Sequence, residues 1–137
     1  MAELTTQQVE QLLAAAQLAS ERAYAPFSKF QVGAAVLTQQ GEIFTGCNVE
    51  NSSYGLTNCA ERTAIFTAVA AGALGEGRDL VAIAVVNREG AVCSPCGACR
   101  QVIFEFGPEA IVIYRARSGE IAHTKAKDLL PEGFRLR

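Results

Sequence analysis

Leu80-Val81-Ala82-Ile83-Ala84-Val85-Val86, then Ser94-Pro95-Cys96-Gly97-Ala98-Cys99 running on to Gly107, then Ala110-Ile111-Val112-Ile113-Tyr114, is the stretch that decides the fold. Its two apolar runs lack the alternation of a half-solvated strand, so they read as strands buried on both faces. Between them Ser94 offers a helix cap, Pro95 suits a first helical turn and Gly107 suits a stop. Strand, helix and strand at this length make a crossover between parallel neighbours, which places a helix against the sheet.

Upstream, Asn58 can cap a helix over Cys59 to Ala71 that Gly72 closes. Gln31 to Thr38 and Glu42 to Val49 are β-favouring runs joined by Gln39-Gln40-Gly41, the pattern of a hairpin. Thr5 or Thr6 caps a first helix in which Val9, Leu12, Leu13, Ala16 and Ala19 recur at helical spacing until Pro26 stops it. Downstream, Glu120 to Thr124 adds an edge strand and Ala126 to Leu130 a last helical turn before Pro131. No repeat, low-complexity tract or linker interrupts the chain. Residues 1–137 are therefore expected to form a single α/β domain, a three-layer α-β-α arrangement around a mixed sheet.

Composition narrows the function classes. Half of the 137 residues are hydrophobic and only 19% are charged, too few to cover a small domain, so apolar surface is expected to be hidden between subunits. The net charge of −2, with no run of Lys or Arg, disfavours a polynucleotide partner. Met1-Ala2-Glu3-Leu4 lacks a basic, then apolar, leader, and no run is long enough to span a bilayer; a cytoplasmic protein without a membrane partner is expected.

Cysteine is where chemistry concentrates. Five cysteines is an odd number, and Cys93, Cys96 and Cys99 crowd into seven residues, so metal or catalytic roles outrank a disulfide framework. Cys96 and Cys99, three apart, lie about 60° apart around a helix and can face one point. Cys93 with Cys96 is an overlapping alternative, disfavoured if Ser94-Pro95 starts the helix and leaves Cys93 on the strand side. A thiol redox pair is a second alternative, but it leaves Cys59 and Glu61 without a role. Cys59, at the start of its own helix, would complete a trio of thiolates whose fourth metal position stays open, the pattern of a catalytic zinc site. Glu61 does not join by spacing alone, since residues two apart on a helix point about 200° from each other. His123, the sole histidine, falls in the edge strand and is read as solvated.

Five blocks in order resemble one family. They are Phe27-Ser28-Lys29-Phe30-Gln31-Val32-Gly33-Ala34-Ala35, Gly46-Cys47-Asn48-Val49-Glu50-Asn51, Cys59-Ala60-Glu61-Arg62, Pro95-Cys96-Gly97-Ala98-Cys99-Arg100-Gln101 and Leu129-Leu130-Pro131-Glu132-Gly133-Phe134. The chain resembles the small, homotetrameric cytidine deaminases that act on free nucleosides, a branch of the zinc deaminases whose signature is H-x-E and P-C-x-x-C. Here Cys59 stands where many relatives carry histidine.

The resemblance implies one Zn²⁺ per chain on Cys59, Cys96 and Cys99, and hydrolysis of cytidine or deoxycytidine to uridine or deoxyuridine and ammonia, a step of pyrimidine salvage. Glu61 then moves the protons and Arg62 hydrogen-bonds ligand sulfurs. Asn48 and Glu50 hold ribose hydroxyls, backbone groups of Ala60 meet the base edge, and Phe30 and Phe134 flank the pyrimidine. Tyr54 and Phe134 come from a neighbouring subunit of the homotetramer. Rival readings are a deaminase of another cytosine nucleoside and a non-catalytic zinc-stabilised binding module, which would need a fourth protein ligand. Cys47 and Cys93 are read as packing residues.

Overall fold

A computed structural model describes residues 4–136. Helix α1 (Thr6–Ser20) leads into the hairpin β1 (Val32–Leu37) and β2 (Ile43–Cys47), then α2 (Ala60–Ala70), β3 (Ala82–Asn87), α3 (Gly97–Phe106), β4 (Ile111–Arg115) and β5 (Ile121–Lys125). The strands form one sheet in the order β2-β1-β3-β4-β5. Only β3 and β4 pair in parallel, so the sheet is mixed, as the α3 crossover requires.

Each layer follows from the sequence beneath it. All six residues of β1 are buried, because one face of the sheet meets α1 and the other meets α2 and α3. Leu12 and Ala16 of α1 pack with Ala35, Ala82, Ala84 and Ile113 on the first face. Ala64, Ile65 and Ala68 of α2 and Ile103 of α3 pack with Val36, Ile83, Val85 and Val112 on the second. The three-layer α-β-α expectation holds.

Helix and sheet approach closely at two glycines. A Cβ on Gly33 would lie 1.9 Å from the Ala16 carbonyl oxygen of α1, and one on Gly46 would lie 2.4 Å from the Ala64 nitrogen of α2. Gly46 thus lets the start of α2, which carries Cys59 and Glu61, rest on the sheet backbone.

Three boundaries differ from the sequence reading. Thr5 caps α1 with a capping box to Gln8, but the helix ends at Ser20, well before Pro26. The released chain pairs with the exit of β2 instead: Tyr24 N–H donates to Asn48 O at 3.0 Å, and Glu50 N–H donates to Tyr24 O at 2.8 Å. Asn58 does not cap α2, because its backbone is spent on two 2.9 Å bonds with Val49; Cys59 occupies the N-cap. Ser94 does not cap α3 and Pro95 is not in its first turn. Cys93 N–H still bonds Arg115 O at 3.1 Å, which holds the chain extended, and the helix begins only after Cys96 as N-cap.

Candidate active site

Two helix starts build the thiol cluster. Cys59 caps α2 and Cys96 caps α3, both in extended backbone (φ −77°, ψ 155°; φ −71°, ψ 171°), and neither thiol makes a capping hydrogen bond. Cys99 follows as the third helical residue of α3 and is fully buried. Side chains at an N-cap and at the third position both reach over the first turn, so the three Sγ atoms converge, all within 4.8 Å of one another. Cys93 lies outside this group, which favours the Cys96 and Cys99 pair over the Cys93 and Cys96 alternative.

The cap position also answers the question of Glu61. Cys59 precedes the helix and is free of its 100° lattice, and Glu61, the second residue of α2, lies near enough to feel the charge of Cys59. Glu61 is 4% exposed. Burial pushes its carboxyl up to about 7, opposed first by a backbone hydrogen bond at Glu61 itself and helped by the charge of Cys59. Arg62 donates from Nη2 to Cys59 Sγ at 3.2 Å, and its Nε is buried with no hydrogen-bond partner among the described residues.

The thiols divide by environment. Cys59 is pulled down to about 5, first by its hydrogen bond with the Cys99 thiol and, against burial, by Arg62. Cys99, the donor of that bond, is pushed up by it and then by burial. Close sulfurs thus oppose each other's ionisation, and a divalent cation among them removes that opposition. Two helix N-termini and Arg62 favour negative sulfur on the same spot, so the donor set fits zinc. Burial pushes Cys93 up to about 12 and also raises the half-buried Cys47, so neither thiol ionises readily.

A cleft of about 420 Å³ lined by Phe27, Ser28, Glu50, Tyr54 and Thr57 contains one of the expected sugar-binding residues. Glu50 and Asn48 are each 9% exposed. Both are anchored: Asn48 Oδ1 accepts from Val32 N at 2.8 Å and its Nδ2 donates to Phe30 O at 2.8 Å, while Glu50 accepts from Phe27 N, Ser28 N and the Ser28 hydroxyl. The Ser28 hydroxyl foremost holds the Glu50 carboxyl below its ordinary range. Asn48 and Glu50 lie past the end of β2, where isolated bridges tie Val49 to Tyr24 and Asn58.

The aromatic residues disperse. Tyr54 lines the same chain's cleft, its ring 6.1 Å from that of Phe27, and stays 77% exposed. Phe30 and Phe134 are both exposed, and the Phe134 carbonyl accepts from Gln101 at 3.3 Å. Ala60, first residue of α2, is buried and presents a first-turn N–H that has no intrahelical acceptor. His123 is exposed on edge strand β5, as expected. Phe27 and Ser28 are additions to the cleft that spacing did not single out, because their partner Glu50 is more than twenty residues away. No helix among the described residues is long and apolar enough to cross a membrane.

Comparison with known proteins bears on this geometry. The profile of the cytidine and deoxycytidylate deaminase zinc-binding region matches residues 6–115. Curated relatives include the cytidine deaminase of Sporosarcina psychrophila, 52% identical over 92% of this chain and 90% of its own. That of Halalkalibacterium halodurans is 48% identical over 91% and 92%. Among solved structures, the cytidine deaminase of Burkholderia pseudomallei superposes with a TM-score of 0.83 at 50% identity, covering 96% of this chain and 100% of that one. The enzyme from Mycobacterium tuberculosis gives 0.81 at 40%, covering 93% and 98%.

Proposed function

The chain belongs to the cytidine and deoxycytidylate deaminase zinc-binding family, and we propose that it hydrolyses free cytidine and deoxycytidine to uridine and deoxyuridine with release of ammonia. One observation carries this reading: three thiols within 4.8 Å of one another beside a buried carboxyl that is not one of them. Three donors are one short of a closed structural zinc site, and a separate buried acid is what a proton-moving hydrolysis needs.

Cys59, Cys96 and Cys99 hold the metal, one ion per chain. When bound, zinc supplies the Lewis-acid chemistry that makes a hydrolytic water acidic near neutral pH. Glu61 accepts one proton of the attacking water and delivers it to N3 of the pyrimidine, then takes the remaining proton from the new C4 hydroxyl and hands it to the leaving amine; a C–O bond forms at C4, the C–N bond breaks, and a C4 carbonyl and ammonia result. Burial keeps bulk water from competing for that proton. Arg62 offsets the charge of three thiolates, and the N–H of Ala60 meets the base edge. Asn48 and Glu50 receive the sugar at the cleft walled by Phe27, Ser28, Tyr54 and Thr57, and Phe30 flanks the base.

Assembly follows from surface chemistry. Tyr54, Leu56, Phe66 and Phe134 are large apolar side chains left exposed on the isolated chain, surface that a subunit interface would bury. A homotetramer in which Phe134 and Tyr54 complete a neighbour's site, working in the cytoplasm in pyrimidine salvage, accounts for them. The test is loss of the cytidine absorbance band with purified protein, its abolition by chelation and its return with zinc. Zinc-loaded protein that leaves both cytidine and deoxycytidine unchanged would refute the reading.

A further inference from the structure

The loop before β1 and the chain leaving β2 are joined by a circuit of hydrogen bonds that proton transfer does not use. Glu50 Oε1 accepts the N–H groups of Phe27 at 2.9 Å and Ser28 at 3.2 Å, and Oε2 accepts the Ser28 hydroxyl. The same hydroxyl oxygen accepts the Phe30 N–H at 3.0 Å. Asn48 then holds Phe30 O and Val32 N, each at 2.8 Å. Between Ser28 and Phe30, Lys29 sits at φ 62°, a left-handed conformation that a lysine keeps only where its surroundings over-determine it.

Ser28 Oγ therefore links the Glu50 carboxylate in the cleft to the backbone that carries Phe30. We propose that Ser28 is a positioning residue for the reaction, fixing Glu50 and Phe30 as one unit so that sugar recognition and base placement are set together. This rests on the reading of Glu50 as sugar-binding. A carboxylate already gripped by three donors gives up little rotamer freedom when substrate arrives, and Oε2 retains acceptor capacity for a sugar hydroxyl.

A double-mutant cycle of Ser28→Ala and Glu50→Gln tests this on zinc-loaded enzyme, with cytidine and with 2′,3′-dideoxycytidine, which lacks the sugar hydroxyls at issue. Ser28→Ala is expected to lower kcat/KM for cytidine about 10- to 100-fold, mainly through KM, the range of one hydrogen bond to a charged group. The dideoxynucleoside should lose at least about threefold less, and Ser28→Ala should add under about threefold in the Glu50→Gln background. Equal losses on both nucleosides, or full additivity, would overturn the proposal. So would an impaired Glu50→Gln beside an unaffected Ser28→Ala, which leaves the sugar reading standing. A Glu50→Gln enzyme with unchanged cytidine kinetics removes the sugar reading and the inference with it. Should Ser28→Ala fail to fold, Ser28→Cys, close in shape and a weak donor, carries the same comparison of the two nucleosides.

Discussion

The thiol cluster and the cleft at Glu50 are built in opposite ways. Cys59 is placed by the start of α2, and Cys96 and Cys99 by the start of α3, both helices being seated on the sheet. Glu50, Ser28 and Phe30 sit on loops and hold one another across more than twenty residues of chain. The first arrangement draws on two helix starts that are each marked by local sequence, so its cysteines can be picked out from spacing. The second is a network whose members make sense only together, and its failures should be graded where those of the centre are all-or-none.

Breaking the centre gives the largest effect. Cys99→Ala should lose zinc and activity together, while Cys93→Ala keeps both, as metal analysis and turnover on the same samples will show; the reverse pattern would place the metal on the other overlapping pair. Glu61→Gln should keep zinc and fold yet lose about 10²–10⁴-fold in kcat, since an amide cannot carry the proton. Turnover within a few-fold of wild type would remove Glu61 from the mechanism.

The cleft should respond more softly. Phe134→Ala should weaken nucleoside binding by about 1–3 kcal/mol, the worth of one stacked base, although Phe134 is 66% exposed on the isolated chain; an unchanged KM would leave that ring outside the site. Gly46→Ala tests the seat beneath α2: its Cβ would meet Ala64 N at 2.4 Å, so unfolding midpoints should show destabilisation of about 1–3 kcal/mol, the usual cost of overpacking. The smallest effect is a pH dependence. Because hydrogen bonding, from Ser28 first, depresses the Glu50 carboxyl in the folded state, its stabilisation is complete above the ordinary carboxyl range and lost as pH falls through the depressed folded value. Glu50→Gln should therefore lose less stability than wild type on acidification, as denaturant midpoints at neutral and acid pH will report. Equal losses would mean that the network does not select the charged form.

What the sequence disclosed follows the same division. The unbroken apolar runs at Leu80 to Val86 and Ala110 to Tyr114 foretold parallel strands around α3, and the three-layer fold followed. The cysteines at 59, 96 and 99 were legible because each belongs to a helix start. The starts themselves were misplaced by one and two residues. Asn58 and Ser94 have the chemistry of caps, but pairing of Asn58 with Val49 and of Cys93 with Arg115 keeps both segments extended, and no local signal announces such partners. That small shift decides the geometry, because a cysteine in the cap escapes the helical lattice that would have pointed it away from Glu61. The end of α1 was hidden for the same reason, since Tyr24 leaves the helix to pair with the exit of β2. Ser28 carries no local signal of its role, because its partner is a carboxylate far along the chain.

The central claim is that the metal is held by three sulfurs with its fourth position left to the reaction. X-ray absorption at the zinc edge of the purified, active protein tests it most directly. Three sulfur neighbours at about 2.3 Å and one lighter atom at about 2.0 Å are the expected first shell. Four sulfurs, with Cys93 or Cys47 closing the site, would contradict it and make the centre a structural one.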